Sequence, residues 1–165
     1  MSLVLGTTVS LRTATAGGPV EYVRHLHGRA VISPVTDASP DVDKLDASWR
    51  VRPPLAVAPT TRSTAINVSL ESVNFPGGFL RHRHGEVHQD ANDGSEQFAV
   101  DATFIAVPAD DDAVFLVAMN FPYSYVRHYE GKLYIATKGG AQPWDAAHAW
   151  DDDITWLPTP AWADG

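Results

Sequence analysis

The chain has 165 residues, enough for one domain with a buried core, and its 12 Lys+Arg against 20 Asp+Glu give a formal charge of −8. That balance argues against nucleic acid and anionic membrane as partners, because phosphate binding needs clustered cations. Without cysteine there is no disulfide framework or thiolate metal site; no stretch approaches the roughly 20 apolar residues of a membrane span, and the opening Met-Ser-Leu-Val-Leu-Gly reads as no signal peptide.

In chain order, an alternating strand begins at Val9 (VSLRTATAGG), followed by a Gly/Pro turn, the element YVRH, and a second Gly before another alternating stretch. The copy closes on LDASWRV from Leu45. The same series restarts at Val68 (VSLESVNFPGGFLRHRHGEVHQ) and closes on VDATFIAV from Val100. It restarts again at Val114 (VFLVAMNFPYSYVRHYEGKLYI) and closes on DDITWLP from Asp152. Segments 52–64, rich in Pro and Thr, and 108–112 join the copies, which span about 7–58, 64–109 and 112–165 of a single domain, 1–165. Four short strands per copy predict an all-β fold of twelve strands. One copy cannot bury its apolar face alone, whereas three closing on a common core leave no exposed sheet edge, so the expected architecture is a β-trefoil of three four-stranded repeats with pseudo-threefold symmetry. No helical periodicity of useful length is visible, and a short helical turn fits only in 141–150.

Recurring apolar positions are core candidates: Leu11, Leu70 and Leu116; Val23, Leu80 and Val126; Trp49, Phe104 and Trp156. The recurring polar residues ask for another account. His25, His82 and His128 each follow an Arg, and Asp46, Asp101 and Asp153 each open a closing strand of Asp-x-Ser/Thr-aromatic type. One reading is structural: the carboxylates accept backbone N–H bonds and each Arg packs over an aromatic. The other is one small sugar pocket per copy, in which the carboxylate accepts from two neighbouring hydroxyls and His adds a further bond. Tyr22, Phe79, Tyr125 and Tyr129 are candidate aromatic walls. Such pockets bind weakly one at a time and gain by avidity on a polymer.

The second copy, VSLESVNFPGGFLRHRHGEVHQDANDGSEQFAVDATF, resembles the arabinose-binding domain of B-type α-L-arabinofuranosidases, carbohydrate-binding module family 42. The third continues the likeness through NFPYSYVRHYEGKLYIATKGG and DDITWLPTPAW, and the first through TTVSLRTATAGG, YVRH and DASWRV. The resemblance implies a β-trefoil that binds arabinofuranose side chains of arabinoxylan or arabinan. It implies a pocket at each of His82 with Asp101, His128 with Asp153, and His25 with Asp46, and no cofactor. It further implies a secreted, monomeric module tethered to a catalytic domain. The first copy has Ala16-Gly17-Gly18-Pro19 in place of Asn-Phe-Pro-Gly, so its pocket is expected to be the weakest of the three.

Other chemistries fit less well. Glycoside hydrolysis needs two carboxyls facing each other across a cleft, whereas here each Asp belongs to a separate pocket, so no catalytic residue is assigned. The string His82, His84, His88 suggests a metal, but Arg81 and Arg83 oppose a dication and the other copies lack the triplet, so no metal ligand is assigned. No serine sits in a nucleophile-elbow pattern. A trefoil serving as a protein-interaction or structural module is the alternative from another class.

Overall fold

Apolar–polar alternation in each copy produces four strands, twelve among the described residues. The computed structural model describes residues 1–57 and 64–164, so the joint expected at 52–64 lies largely outside the described residues. The first copy contributes β1 (Thr8–Thr13), β2 (Glu21–Leu26), β3 (Arg29–Pro34) and β4 (Trp49–Arg52). The second contributes β5 (Ile66–Ser72), β6 (Gly78–Arg83), β7 (Glu86–Ala91) and β8 (Phe104–Pro108). The third contributes β9 (Val114–Ala118), β10 (Tyr125–Tyr129), β11 (Lys132–Ala136) and β12 (Trp156–Pro160).

Strands β1, β4, β5, β8, β9 and β12 pair in a closed antiparallel ring, with β1 joined to β12 from Val9↔Pro160 to Thr13↔Trp156. Closure leaves this barrel no free edge. The hairpins β2–β3, β6–β7 and β10–β11 cap one end and touch one another through Arg29↔His88, Lys132↔Val31 and Tyr134↔Glu86. The fold is a β-trefoil. Each hairpin turns on two residues of positive φ: His27 and Gly28, His84 and Gly85, Glu130 and Gly131. A two-residue turn of this kind matches strand twist, which is why a Gly recurs soon after each Arg-His pair.

All nine apolar positions singled out above lie in one buried cluster. Trp49 Nε1 donates to Val23 O (3.1 Å) and Trp156 Nε1 to Val126 O (3.0 Å), so both buried indoles keep a partner.

The structure corrects one local expectation. Short helices precede the closing strands: α1 (Asp41–Asp46), α2 (Glu96–Asp101) and α3 (Trp150–Ile154). Asp46 and Asp101 end their helices and Asp153 lies inside α3, so the recurring carboxylates sit on helical turns rather than at strand starts. Five or six residues make under two turns, too few to show a 3.6-residue period. The helix α2 is nevertheless capped, with Ser95 Oγ accepting from Phe98 N (3.0 Å). The turn expected in 141–150 appears as a 3₁₀ turn at Pro143–Asp145.

Candidate functional site

On β2, β6 and β10 successive side chains alternate faces. His25, His82 and His128 share a face with the core residues Val23, Leu80 and Val126, and all three are buried. Each histidine meets the Asp of its own copy: His25 Nε2 lies 3.3 Å from Asp46 Oδ1, His82 Nε2 3.6 Å from Asp101 Oδ1, and His128 Nε2 3.5 Å from Asp153 Oδ1. The preceding Arg reaches the same carboxylate, Arg24 at 3.3 Å, Arg81 at 2.9 Å and Arg127 at 2.8 Å. All six residues named from the sequence are thus brought together in three pairs.

A third member comes from the neighbouring copy. Asn74 Nδ2 donates to Asp46 Oδ1 (2.7 Å), which leaves its Oδ1 to accept from His25 Nε2 (3.0 Å). Asn120 does the same between Asp101 Oδ1 (2.9 Å) and His82 Nε2 (2.8 Å). A carbonyl oxygen can only accept, so each imidazole carries a proton on Nε2. The Asn-Phe element of copy two therefore completes the site of copy one, and that of copy three completes the site of copy two. The phenylalanines follow: Phe75 packs edge-on to His25 at 5.2 Å and Phe121 to His82 at 5.5 Å, and both stay about half exposed, at 54% and 52%.

Copy one closes the ring for the third site, where Thr15 and Ala16 replace Asn and Phe. Thr15 Oγ1 reaches His128 Nε2 only at 3.4 Å. This geometry corrects the expectation that the first site is the weakest built: its Asn and Phe come from the second copy, and the incomplete site is the third. The sequence contained the signal, an Asn-Phe pair present in two copies and absent from one. Linear order credited the missing pair to the wrong pocket.

The wall aromatics also need correction. Tyr22, Phe79 and Tyr125 lie on the strand face opposite the histidines, beneath the short helices. Tyr22 packs with Val35 and Ala47, Phe79 with Phe98 and Ala102, and Tyr125 with Ala136 and Trp150. Tyr129 shares that parity and lies near Arg127 (5.7 Å) and Tyr134 (6.3 Å). The exposed rings beside the His–Asp pairs are Phe75 and Phe121.

Cavities open on two of the sites. One of about 570 Å³ is lined by His25, Asp46, Asn74 and Phe75 with His27 and Gln89. Another of about 330 Å³ is lined by His82, Phe121, His84 and Trp144 among others. The string His82, His84, His88 splits: His82 and His84 both line the second cavity, His84 from the hairpin turn, while His88 Nδ1 contacts Arg83 (3.1 Å).

The carboxylates differ in what remains free. Asp101 accepts from Arg81, Gln97 and Asn120, which leaves capacity for one further donor. Asp153 accepts from Arg127 on Oδ2, leaving Oδ1 facing His128. The arginines are held by different means: Arg81 lies over Phe98 (5.0 Å) and Arg127 over Trp150 (5.2 Å), while Arg24 pairs with Asp43 (3.0 Å) at the equivalent place on α1.

Burial holds His82 and His128 below the ordinary imidazole range. Arg81 and Arg127 push the same way, and Asn120, Asp101 and Asp153 only partly oppose the shift. With the folded pKa below the unfolded value of about 6.5, the unfolded chain binds more protons between the two. Their contribution is full above pH 6.5 and is lost as the pH falls through the folded pKa. Urea unfolding at pH 5 should therefore give a lower midpoint than at pH 7.5, and His82→Gln with His128→Gln should narrow the gap. An unchanged gap would exclude these two histidines as its origin.

Comparison with known proteins places this geometry. The Alpha-L-arabinofuranosidase B (ABFB) domain model matches residues 11–157. The chain belongs to the ABFB domain family. This ABFB domain is similar to Alpha-L-arabinofuranosidase B of Emericella nidulans, at 37% identity over 98% of this chain and 32% of that protein. It is also similar to a crystal structure of arabinofuranosidase complexed with arabinofuranosyl-alpha-1,2-xylobiose (TM-score 0.90, 35% identity, 99% of this chain and 33% of that one). A designed 3-fold symmetric protein, ThreeFoil, shares the fold at TM-score 0.58 and 12% identity, over 92% of this chain and 97% of that one. The ABFB domain thus spans about a third of the length of the arabinofuranosidases it matches.

Proposed function

We propose that this chain is a non-catalytic carbohydrate-binding module for α-L-arabinofuranose side chains of arabinoxylan or arabinan. In this reading it is one monomeric domain, 1–165, with repeats of about 7–58, 64–109 and 112–165. It holds an attached α-L-arabinofuranosidase, or a related hydrolase, on arabinose-bearing hemicellulose outside the cell. The observation that carries the reading is the repeated His–Asn–Asp relay beside an exposed Phe, open to a cavity at the first and second sites. Its donors and acceptors are fixed and suit the vicinal hydroxyls of a small sugar, and the Phe offers an apolar face to the ring. The match to about a third of each arabinofuranosidase supports a domain that rides on an enzyme.

Titration of the chain with arabinoxylan, arabinan and undecorated xylan tests this. Binding is expected to the first two at roughly millimolar to micromolar strength per site, within the range of weak recognition, and not to xylan. Failure to bind either arabinose-bearing polymer would sink the reading. Release of arabinose from a chromogenic arabinofuranoside by the purified chain would overturn its non-catalytic part.

A further inference from the structure

The second site has an outer half built by the third copy. The segment between β11 and α3 (137–149) holds 13 residues, against six between β3 and α1 (35–40) and four between β7 and α2 (92–95). It is firmly held. Buried Asp145 accepts from Thr137 N (2.9 Å) and Gln142 N (3.0 Å), and Arg127 donates to the carbonyls of Trp144 (2.7 Å), Ala146 (2.5 Å) and His148 (2.8 Å). The Trp144 ring stacks on Tyr134 at 4.3 Å and 12°. A Cβ at position 85 would lie 3.0 Å from the indole, and Gly85 has φ +78°, so the glycine of the β6–β7 turn both shapes the turn and admits the ring.

The result is a cavity that runs from His82 and Phe121 to Gln142 and Trp144. The first cavity is lined by Gln89, Leu26 and Val42 and has no such indole. We infer that the second site contains an outer subsite, formed by Trp144, Gln142, Thr137 and His84, for the sugar unit to which the arabinofuranose is attached. This inference rests on the arabinofuranose reading of the inner site. The indole offers an apolar surface to a sugar ring, and the Gln142 amide and Thr137 hydroxyl offer donors and acceptors to its hydroxyls. A pre-ordered loop spends little entropy on binding, which favours a gain in affinity from the second unit. The second site is thereby selective for a branched saccharide, while the first takes the terminal arabinofuranose alone.

The test is an NMR titration of the 165-residue chain, followed at the amides of Asn120 and Gly85. The two probes are methyl α-L-arabinofuranoside and a xylobiose bearing one α-L-arabinofuranosyl branch. At the second site the branched probe should bind about tenfold more tightly, a gain within that of one good aromatic contact. Trp144→Ala should bring the ratio near one with methyl arabinofuranoside affinity changed by less than about twofold. Because Trp144 also packs on Tyr134, Gln142→Ala, at an exposed side chain, serves as the second variant and should lower the ratio without changing the unfolding midpoint. A parent ratio near one, or equal weakening of both probes by Trp144→Ala, overturns the subsite. If neither probe shifts Asn120, the arabinofuranose reading of the site fails with it.

Discussion

Replacing Arg127 by Met is expected to lower the unfolding free energy by about 3–5 kcal/mol, the cost of stripping one partner from a buried ion pair. Arg127 is only 2% exposed, and its donors are taken up by Asp153 and by the carbonyls of Trp144, Ala146 and His148. Methionine fills much of the volume, but it leaves the Asp153 carboxylate without its cation and three carbonyls without their donor. Lysine keeps the charge without the planar fork, so Arg127→Lys should recover only part of the loss. Arg24→Met should cost less, because Arg24 shares its charge between Asp46 and the more exposed Asp43. Urea unfolding followed by tryptophan fluorescence measures all three. If Arg127→Met unfolds within about 1 kcal/mol of the parent, a surface-pair value, the network is not the anchor of the third copy.

Replacing Asn120 by Leu is expected to weaken arabinofuranoside binding at the second site by roughly 10- to 100-fold, while Arg81, His82 and Asp101 stay in place. The estimate follows from about 1.5–3 kcal/mol for a hydrogen bond to a charged group. Asn120 bridges the Asp101 oxygen and the His82 ring, and the leucine removes the acceptor of His82 Nε2 and one of the three donors to Asp101. The first site, which uses Asn74, should be unaffected. The reciprocal change, Thr15→Asn with Ala16→Phe, supplies the third site with what the other two already have and should raise its affinity. Site-resolved NMR titration separates the three. Loss of binding at the third site rather than the second in Asn120→Leu would show that the cross-copy assignment is wrong.

Legibility in the sequence followed the range of the interaction. The threefold kernel and the nine core positions were readable because strand alternation and burial repeat locally, and the comparisons bear out both the fold and the family. The His–Asp pairs were readable because each lies within one copy. Asn74, Asn120 and Thr15 were not assigned to their sites, since each acts on a histidine of a different copy. The wall aromatics failed on parity: Tyr22 and Phe79 are odd by one residue from the face that His25 and His82 occupy. Trp144 stood in a segment without any repeat to flag it.

The contact of Thr15 with His128 spans 113 positions and depends on the pairing of the first strand with the last. Every site thus belongs to a boundary between copies, and a chain with a single copy owns no site at all. A single-copy peptide would make such sites only as a homotrimer, with three equivalent seams and an identical Asn at each. In one continuous chain the three seams need not be identical. The third site, where Thr15 and Ala16 stand in the places of Asn and Phe, lies at the seam between the first and last copies, so it forms only once β12 has paired with β1.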